Sequence, residues 1–276
     1  MMEADKPRYI RYSTYLGDVD VMSAWYVKQV FAKHWHEGYG IGTITSGAMK
    51  FYYRGENLTA APGYLNSVNP DEVHDGHSYD NSGWRYNMFY FKENVFRNIY
   101  NDISDSYATP FIAEGVMNDR ELAIDIANLT GEMLSCNSDR LYVESALTSI
   151  LSRTIYRHTD KRPDVKPVYK LGTKLKRVKS YINENLNSGI TISKLASVAG
   201  VSPFHFIRSF GEDVGLAPYE YVASLRAAKA KDMVLSGVRY ADAAAECGYS
   251  DQSHMNRWLK RIYGLTPKRM SIAPIS

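Results

Sequence analysis

Cysteine is scarce in this chain, with only Cys136 and Cys247 among its 276 residues. Two cysteines so far apart in the sequence are too few for a disulfide framework or a cysteine-based zinc site, so we expect two reduced thiols. Long apolar runs are missing too, since no stretch approaches the roughly 18 residues of a membrane span. The opening segment MMEADKPRYIRYST has no apolar core of a secretory signal. These absences predict a cytoplasmic protein without a membrane partner.

Sequence motifs of the common enzyme classes are also missing. The chain shows no Ser-His-Asp arrangement, no phosphate-binding glycine loop and no Gly-x-Gly-x-x-Gly dinucleotide fingerprint. The sequence therefore predicts no catalytic residues and no cofactor, and we expect a protein that is not an enzyme. One enzyme class stays open and is weighed below with the histidines.

The charge of the chain is divided unevenly, although its net value is only +3. Residues 1–160 hold 14 Lys and Arg against 21 Asp and Glu, a net charge of −7, whereas residues 161–276 hold 19 against 9, a net charge of +10. A segment this basic attracts a polyanion by releasing counterions, but charge alone predicts only nonspecific binding. The second half is therefore the part that we expect to contact phosphate.

The pattern along the chain indicates two kinds of structure. Between Asp18 and Phe91 the β-prone runs are AWYV, IGTIT, MKFYY, YLNSV and WRYNMFYF, and turn residues stand at Ser46-Gly47, Arg54 to Asn57, Pro62-Gly63 and Asn81 to Gly83. This alternation predicts a small antiparallel barrel or sandwich. Apolar residues then recur at helical spacing in 118–135 and 139–157, which predicts two helices. The charged, proline-bearing segment 158–170 marks a linker.

An internal repeat follows the linker. The aligned pairs are LASVAGVS (195–202) with AAAECGYS (243–250), HFIRSF (205–210) with HMNRWL (254–259), and VGLAP (214–218) with YGLTP (263–267). Each copy contains a helix of small residues, a glycine that permits a tight turn, and a capped second helix, which is the pattern of a helix-turn-helix. Ser202, followed by Pro203, is the predicted cap in the first copy, and Ser250 or Asp251 in the second.

The second helix of each copy has an inward and an outward face. Phe206 and Phe210, like Met255 and Leu259, are four residues apart and are predicted to face the core. The predicted DNA-contacting residues on the outward faces are Phe204, Ile207 and Arg208 in the first copy and Gln252, Ser253, Asn256 and Arg257 in the second. Arginine can pair with guanine, and glutamine or asparagine with adenine. A polar helix face is usually only a solvated surface, but the repeat, the glycine turn and the charge division together favour DNA recognition.

Residues 174–271 resemble the DNA-binding domain of the AraC/XylS family of bacterial transcription regulators. The resemblance is carried by ISKLASVAGVSPFHFIRSF, YEYVASLRAAKAKDMV and YADAAAECGYSDQSHMNRWLKRIYGLTPKRM. It implies two helix-turn-helix units joined by a long helix, about Pro218 to Leu235, that contact successive major-groove segments of a double-stranded DNA operator. Phe204 and Ile207 depart from the family, in which polar residues often occupy these positions. The resemblance also implies a homodimer and contact with RNA polymerase, and the helix from Asp139 to Arg157 is either the dimer contact or a brace within its own domain.

The first half resembles the cupin-like sensor domain common in this family. The matching segments are HWHEGYGIGTITSG (34–47), Pro62-Gly63 and NPDEVHDGH (69–77). A barrel of this size can hold one small effector. The residues expected to bind it are His34, His36, Tyr39, Glu72, His74, Trp84 and Tyr86. Aromatic faces beside polar groups suit a polar molecule with an apolar face, such as a sugar or an amino acid.

The three histidines of this segment allow three interpretations. His34 and His36 fall on one face of a strand, and with His74 they could hold a metal, which is the basis of the rival hypothesis of a metal-dependent cupin enzyme fused to a DNA-binding module. Metal-binding cupins usually carry a glutamate a few residues after His-x-His, where this chain has Tyr39-Gly40-Ile41. We therefore expect no metal, and histidines that are either structural or line the effector pocket.

The sequence as a whole predicts an α+β multidomain protein. Residues 1–160 are expected to form a cupin-like antiparallel β-barrel with flanking helices that binds an effector and dimerises. Residues 161–173 are the predicted linker, and residues 174–276 an all-α domain with two helix-turn-helix units. The predicted function is that of a sequence-specific transcription regulator, an activator controlled by a small molecule.

Overall fold

The computed structural model describes residues 7–104, 108–135, 138–160, 163–164 and 167–270. The chain divides into two compact units: unit 1 is Met1–Ser138 with Ala146–Pro167, and unit 2 is Asp139–Ser145 with Val168–Ser276. Cys247 is a buried free thiol, as expected, and Cys136 lies outside the described residues. Within the described ranges, no helix has the length and apolar character needed to cross a membrane.

Unit 1 is built on two antiparallel sheets. Its strands are β1 (Arg8–Thr14), β2 (Gly17–Tyr26), β3 (Val30–His34), β4 (Gly38–Gly47), β5 (Met49–Tyr53), β6 (Glu56–Ala60), β7 (Leu65–Val68), β8 (His74–Ser78), β9 (Trp84–Lys92) and β10 (Val116–Met117). One sheet has the order β1-β2-β9-β4-β7-β10 and the other β3-β8-β5-β6. Side chains of both sheets, among them Ile44, Phe51 and Met88, share one core.

The predicted barrel is therefore a pair of facing sheets whose strand pairing does not close into a ring. All five β-prone runs fall on strands, namely β2, β4, β5, β7 and β9. The runs that form β6 and β8, ENLTA and HDGHS, were not predicted because they contain too few apolar residues to show a period. The hairpin between β5 and β6 turns through Arg54 (φ 50°) and Gly55 (φ 89°), the consecutive left-handed residues that suit tight hairpins.

The helices of unit 1 brace the larger sheet. They are α1 (Glu93–Ile103), α2 (Arg120–Met133) and α3 (Arg140–His158), whose first residues belong to unit 2. The two predicted helices correspond to α2 and α3, and α1 was not predicted. Arg157 of α3 pairs with Asp119 at the start of α2 at 3.0 Å. The apolar side chains of α3, such as Leu147 and Ile155, are fully buried within unit 1.

Unit 2 is helical, as predicted. Its helices are α4 (Thr173–Glu184), α5 (Ile192–Ala199), α6 (Pro203–Val214), α7 (Pro218–Leu235), α8 (Tyr240–Glu246) and α9 (Gln252–Tyr263). The pairs α5–α6 and α8–α9 are the two helix-turn-helix units, and α7 joins them over the predicted span. Buried Ala227 and Ala230 of α7 pack with Met255 and Leu259 of α9 in one core cluster, which fixes α9 against the long helix.

Candidate DNA-binding surface and effector cavity

The two repeated segments fold into the same turn. Gly200 follows α5 with φ 62°, and Gly248 follows α8 with φ 75°, in the left-handed region where other residues are strained. Gly248 has a second constraint, because a β-carbon on it would lie 2.5 Å from the Leu186 carbonyl oxygen. Each glycine ends its helix and lets the chain reverse into the next helix within a few residues.

The second helix of each unit begins at a side-chain cap. In α6 the backbone N–H of His205 donates to Ser202 Oγ at 3.3 Å, and Pro203 occupies the first helical position. In α9 the N–H of His254 donates to Asp251 Oδ1 at 2.7 Å, so Asp251 is the cap. Its carboxylate also faces the positive end of the helix dipole. In the register of the second helices, where His205 aligns with His254, Ser202 and Asp251 each stand three residues before that histidine.

His254 connects the cap of α9 to its core. Trp258 Nε1 donates to His254 Nε2 at 3.0 Å, so the ring proton is on Nδ1, which lies 3.1 Å from Ser250 Oγ. Burial lowers the pKa of His254. The neutral ring thus has a partner at each nitrogen and holds the first turn of the helix.

The outward face of α9 is open to solvent. Gln252, Ser253 and Arg257 are exposed and Asn256 is partly exposed, while Met255 is fully buried. The structure therefore exposes Gln252, Ser253 and Arg257 together on the face opposite the core, whereas Oδ1 of Asn256 is buried and has no hydrogen-bond partner among the described residues.

The outward face of α6 is more enclosed. Phe204, Ile207 and Arg208 are each only partly exposed. The Arg208 guanidinium lies 5.4 Å from the centre of the Phe204 ring, a cation–π distance, and burial lowers its pKa. The three predicted residues are adjacent, but Phe204 and Ile207 offer only apolar contact.

Exposed cations surround both helix-turn-helix units. They include Lys174, Lys176, Arg177, Lys194, Lys260, Arg261, Lys268 and Arg269. Cations in solvent keep their full charge and can neutralise phosphates on either side of a groove. The sequence indicated these cations only through the net charge of residues 161–276. The structure shows that their side chains are accessible to solvent.

A cavity of about 240 Å³ lies between the two sheets of unit 1. Most of its wall is apolar, and the residues forming that part are Met22, Phe31, Met49, Phe51, Val68 and Met88. Polar groups reach it from β3, the segment after β3, β7, β8 and β9, and they are His34, His36, Asn66, His74, Asp75, Tyr86 and Tyr90. The cavity can enclose a small molecule that has an apolar body and a polar edge.

Two glycines of β4 give the neighbouring side chains room to line this cavity. A β-carbon on Gly42 would lie 2.1 Å from Met88 Sδ, and one on Gly40 would lie 2.9 Å from Val68 Cγ2. Because side chains alternate along a strand, Gly40 and Gly42 face the cavity lining while Tyr39 and Ile41 face away. Gly40 belongs to Tyr39-Gly40-Ile41, the stretch where metal-binding cupins usually carry a glutamate.

Four of the seven predicted effector residues line the cavity: His34, His36, His74 and Tyr86. Tyr86 lies beside Tyr26, with ring centres 6.0 Å apart, and desolvation by burial raises its pKa above the usual range. A neutral phenol at this wall can donate or accept a hydrogen bond.

The other three predicted residues, Tyr39, Glu72 and Trp84, are not brought to this cavity. Tyr39 is on the opposite face of β4, where its ring stacks near Phe91 and its hydroxyl donates to the Pro110 carbonyl. Trp84 is fully buried in the core. Glu72 lies in a loop, 3.9 Å from Arg54 Nε. The register between paired strands decides which aromatic residues face the cavity, and this register could not be predicted from the sequence.

Asn66 is a cavity residue that the sequence analysis missed. Its side chain is 5% exposed, Nδ2 lies 3.2 Å from Met88 Sδ, and Oδ1 has no hydrogen-bond partner among the described residues. A buried acceptor without a donor is unfavourable unless a ligand or a water supplies one. Asn66 lies inside the run YLNSV, which indicated a strand but not which side chain faces the cavity.

The three histidines form a cluster at one end of the cavity. The ring centres of His34 and His36 lie 4.3 and 4.7 Å from that of His74. One ring nitrogen from each histidine lies within 4.8 Å of the others. Burial lowers the pKa of His36, and it lowers that of His74 to about 4. These two rings are therefore neutral at physiological pH.

Both halves of the chain match families of known proteins. Residues 16–151 match the family model of the AraC-like ligand binding domain, and residues 195–271 match that of a helix-turn-helix domain. The chain is 28% identical over 229 residues to an uncharacterised HTH-type transcriptional regulator, YbfI of Bacillus subtilis, covering 83% of this chain and 82% of that protein. It is 31% identical over 107 residues to the probable transcriptional regulator LumQ of Photobacterium leiognathi, covering 38% and 42%. The solved structure of fatty-acid-bound ToxT from Vibrio cholerae overlays with a TM-score of 0.39 at 13% identity, covering 97% of this chain and 95% of that one.

Proposed function

Because the chain belongs to the AraC family of transcription regulators, with a ligand-binding and a helix-turn-helix domain, we propose that it activates its target genes when a small molecule occupies the cavity of unit 1. One partial relative is an activator, the virulence regulon transcriptional activator VirF of Yersinia enterocolitica, which is 27% identical over 121 residues. The main observation that supports DNA recognition is that the outward face of α9 is exposed to solvent.

Base recognition in this proposal belongs mainly to the second unit. Arg257 is exposed and can donate two hydrogen bonds to guanine O6 and N7, and Gln252 or Asn256 can pair with adenine N6 and N7. In the first unit Phe204 and Ile207 contact thymine methyl groups, and Arg208 supplies the polar contact. The exposed lysines and arginines hold the operator by its phosphates.

The effector in this proposal is a small molecule with an apolar body and at least one hydrogen-bond donor. The volume of about 240 Å³ is below the roughly 300–1,000 Å³ of typical ligand pockets, which favours a molecule of the size of a sugar or an amino acid. The mostly apolar wall binds its body, and the unpaired Oδ1 of Asn66 accepts from its donor. The histidines and Tyr86 contact its polar edge.

The effector acts by binding one state of the regulator more tightly than another, since only a difference in affinity shifts the population. The state that it favours engages the operator and RNA polymerase as a homodimer. We place this activity in the cytoplasm, where the operator is, and assign the sensor to residues 1–160 and the DNA-binding domain to residues 174–276.

The experiment that tests this proposal is genome-wide mapping of the DNA bound by the full chain. We expect one recurrent sequence motif, upstream of genes whose products transport or metabolise the effector. Binding to that motif in vitro, measured with and without the implied small molecule, then tests effector control. Bound fragments that share no motif would contradict the proposed sequence-specific role.

A further inference from the structure

The rings of the three histidines in the cavity lie close together, an arrangement that could not be predicted from the sequence. From it we infer that His34, His36 and His74 bind one divalent transition-metal ion, with Zn²⁺ as the best match. The inference revises the expectation of a metal-free sensor, and it does not depend on the proposed regulatory function.

The first argument is the position of the ring protons. His34 Nδ1 lies 2.8 Å from the Ala32 carbonyl oxygen, His36 Nδ1 3.2 Å from that of Gly38, and His74 Nδ1 2.9 Å from that of Glu72. A carbonyl oxygen can only accept, so each Nδ1 carries the proton and donates. In the neutral ring, Nε2 then holds the lone pair. Metal-binding histidines are almost always oriented in this way, with the other ring nitrogen donating to a carbonyl or a carboxylate.

The second argument is the convergence of the three rings. One ring nitrogen of each lies within 4.8 Å of the other two. Nitrogen ligands at about 2.0–2.1 Å from a tetrahedral Zn²⁺ are separated by roughly 3.3–3.4 Å. The exposed ring of His34 and the partly exposed ring of His36 can move by this difference without disturbing the core. The spacing of the three ring nitrogens therefore suits a single metal ion.

The backbone holds the three residues in this arrangement. His34 and His74 are register partners on β3 and β8, and an irregularity in β3 between Phe31 and His34 re-aims the end of that strand. The carbonyl oxygen of His36 accepts from the Asp71 N–H at 3.0 Å, which ties the segment after β3 to the loop before β8. The cluster is thus a consequence of strand pairing and not of one flexible loop.

In the part of the chain that the structure describes, no group is found that donates a hydrogen bond to Nε2 of these rings. One shared cation can bind the three ring nitrogens that converge in this cluster. Imidazole nitrogen suits Zn²⁺, Cu²⁺, Ni²⁺ and Fe²⁺ better than Mg²⁺ or Ca²⁺, which prefer oxygen.

The ion would have three protein ligands among the described residues, which leaves at least one coordination position for another donor. Since all three histidines line the cavity, that position faces the space assigned to the effector. A water fills it in the resting protein, and an oxygen or nitrogen atom of an effector can replace the water. The metal is assigned a binding role, and no reaction is proposed for it.

The test is a Zn²⁺ titration of the full-length chain after removal of metals with a chelator, without effector or DNA. We expect one equivalent to bind, and Co²⁺ to give the visible absorption of a four-coordinate site. His34→Gln, whose exposed side chain does not support the core, and His74→Ala should each lower the affinity at least about a hundredfold, since even indirect partners of metal ligands contribute 10- to 100-fold.

The matched control is His77→Ala, because His77 is an exposed residue on the same strand as His74 but lies outside the cluster. It should bind Zn²⁺ like the unaltered chain. Circular dichroism checks the fold of each variant, and His34→Gln decides the outcome if His74→Ala unfolds. Absence of a stoichiometric site in the unaltered chain, or equal losses in His77→Ala and His34→Gln, would overturn the inference. Either outcome leaves the DNA-binding proposal intact, because that is tested separately.

Discussion

Arg226 and Asp139 form a nearly buried ion pair within unit 2, with Nη1 and Oδ2 2.8 Å apart. The side chain of Arg226 is 7% exposed, and its Nε and Nη2 donate to the carbonyl oxygens of Leu186 and Ser188 at 2.9 and 3.1 Å. Asp139 Oδ1 in turn accepts from the N–H of Leu141 at 2.9 Å. One guanidinium on α7 thus fixes the start of α3 and the loop after α4.

Replacing Arg226 with Met should strongly destabilise unit 2. The change leaves Asp139 and two carbonyl groups without their donor, and breaking a buried pair typically costs about 3–5 kcal/mol. Urea unfolding followed by circular dichroism measures this loss. Arg239→Met is the matched control, because the pair of Arg239 with Asp242 is solvent-exposed and should contribute little to stability. Equal unfolding midpoints for the two variants would show that the Arg226 network does not stabilise the fold.

The two turn glycines should respond differently to the same substitution. Gly200→Ala meets no atom within 4 Å and should cost only the strain of a left-handed alanine, about 1 kcal/mol. Gly248→Ala has a similar φ but places its β-carbon 2.5 Å from the Leu186 carbonyl oxygen, so it should cost at least about 1 kcal/mol more. Urea denaturation of both variants compares these free energies of unfolding. A smaller loss for Gly248→Ala than for Gly200→Ala would contradict the packing described around the second turn.

The stability of unit 2 should fall in mild acid because of His254. Burial lowers the folded-state pKa of this ring below its unfolded value of about 6.5. The unfolded chain therefore binds a proton first as the pH falls. The contribution of His254 is complete above about pH 6.5 and is lost as the pH drops toward the lowered folded-state pKa.

His254→Gln isolates this effect, because every other titrating group is common to both proteins. The difference in free energy of unfolding between the unaltered chain and the variant should shrink between pH 7 and pH 5. Asp139, Arg257, Asp251 and Arg226 also act on the ring and are retained in the variant. A difference that is constant with pH would mean that His254 titrates normally in the folded state.

Asn66→Leu should separate effector binding from stability. The change removes a buried acceptor that has no partner among the described residues, so the apparent melting temperature should stay the same or rise. Affinity for the effector implied by the mapped genes should fall roughly tenfold, the value of about one hydrogen bond. Calorimetric titration measures the affinity, and a full-strength response in a stable Asn66→Leu protein would place the effector elsewhere.

The sequence was most informative in unit 2, where the helix-turn-helix occurs twice. The repeat and its glycines predicted α5, α6, α8 and α9, and helical spacing predicted the outward face of α9. The resemblance to the AraC/XylS family implied the long helix α7. The sequence was less informative in unit 1, where Tyr39 was predicted to line the cavity and does not, and Asn66 lines the cavity without having been predicted. Whether a strand residue faces the cavity depends on its register with strands distant in sequence, and no local pattern records that register. The three histidines could be identified in the sequence as candidate metal ligands. That their rings converge could not be predicted, because it depends on the pairing of β3 with β8.

The central claim, sequence-specific recognition by the outward face of α9, is tested most directly by comparing Arg257→Ala with the unaltered chain on the mapped operator. We predict a ten- to hundredfold loss of operator affinity, since a bidentate contact with a base contributes about 1–3 kcal/mol of discrimination. The base preference should relax at one or two positions, with a smaller loss on random DNA. Lys268→Ala, at an exposed residue assigned to phosphate, is the matched control and should weaken all sequences alike and reduce the salt slope by about one. A folded Arg257→Ala protein that keeps the operator affinity and base preferences of the unaltered chain would contradict the account.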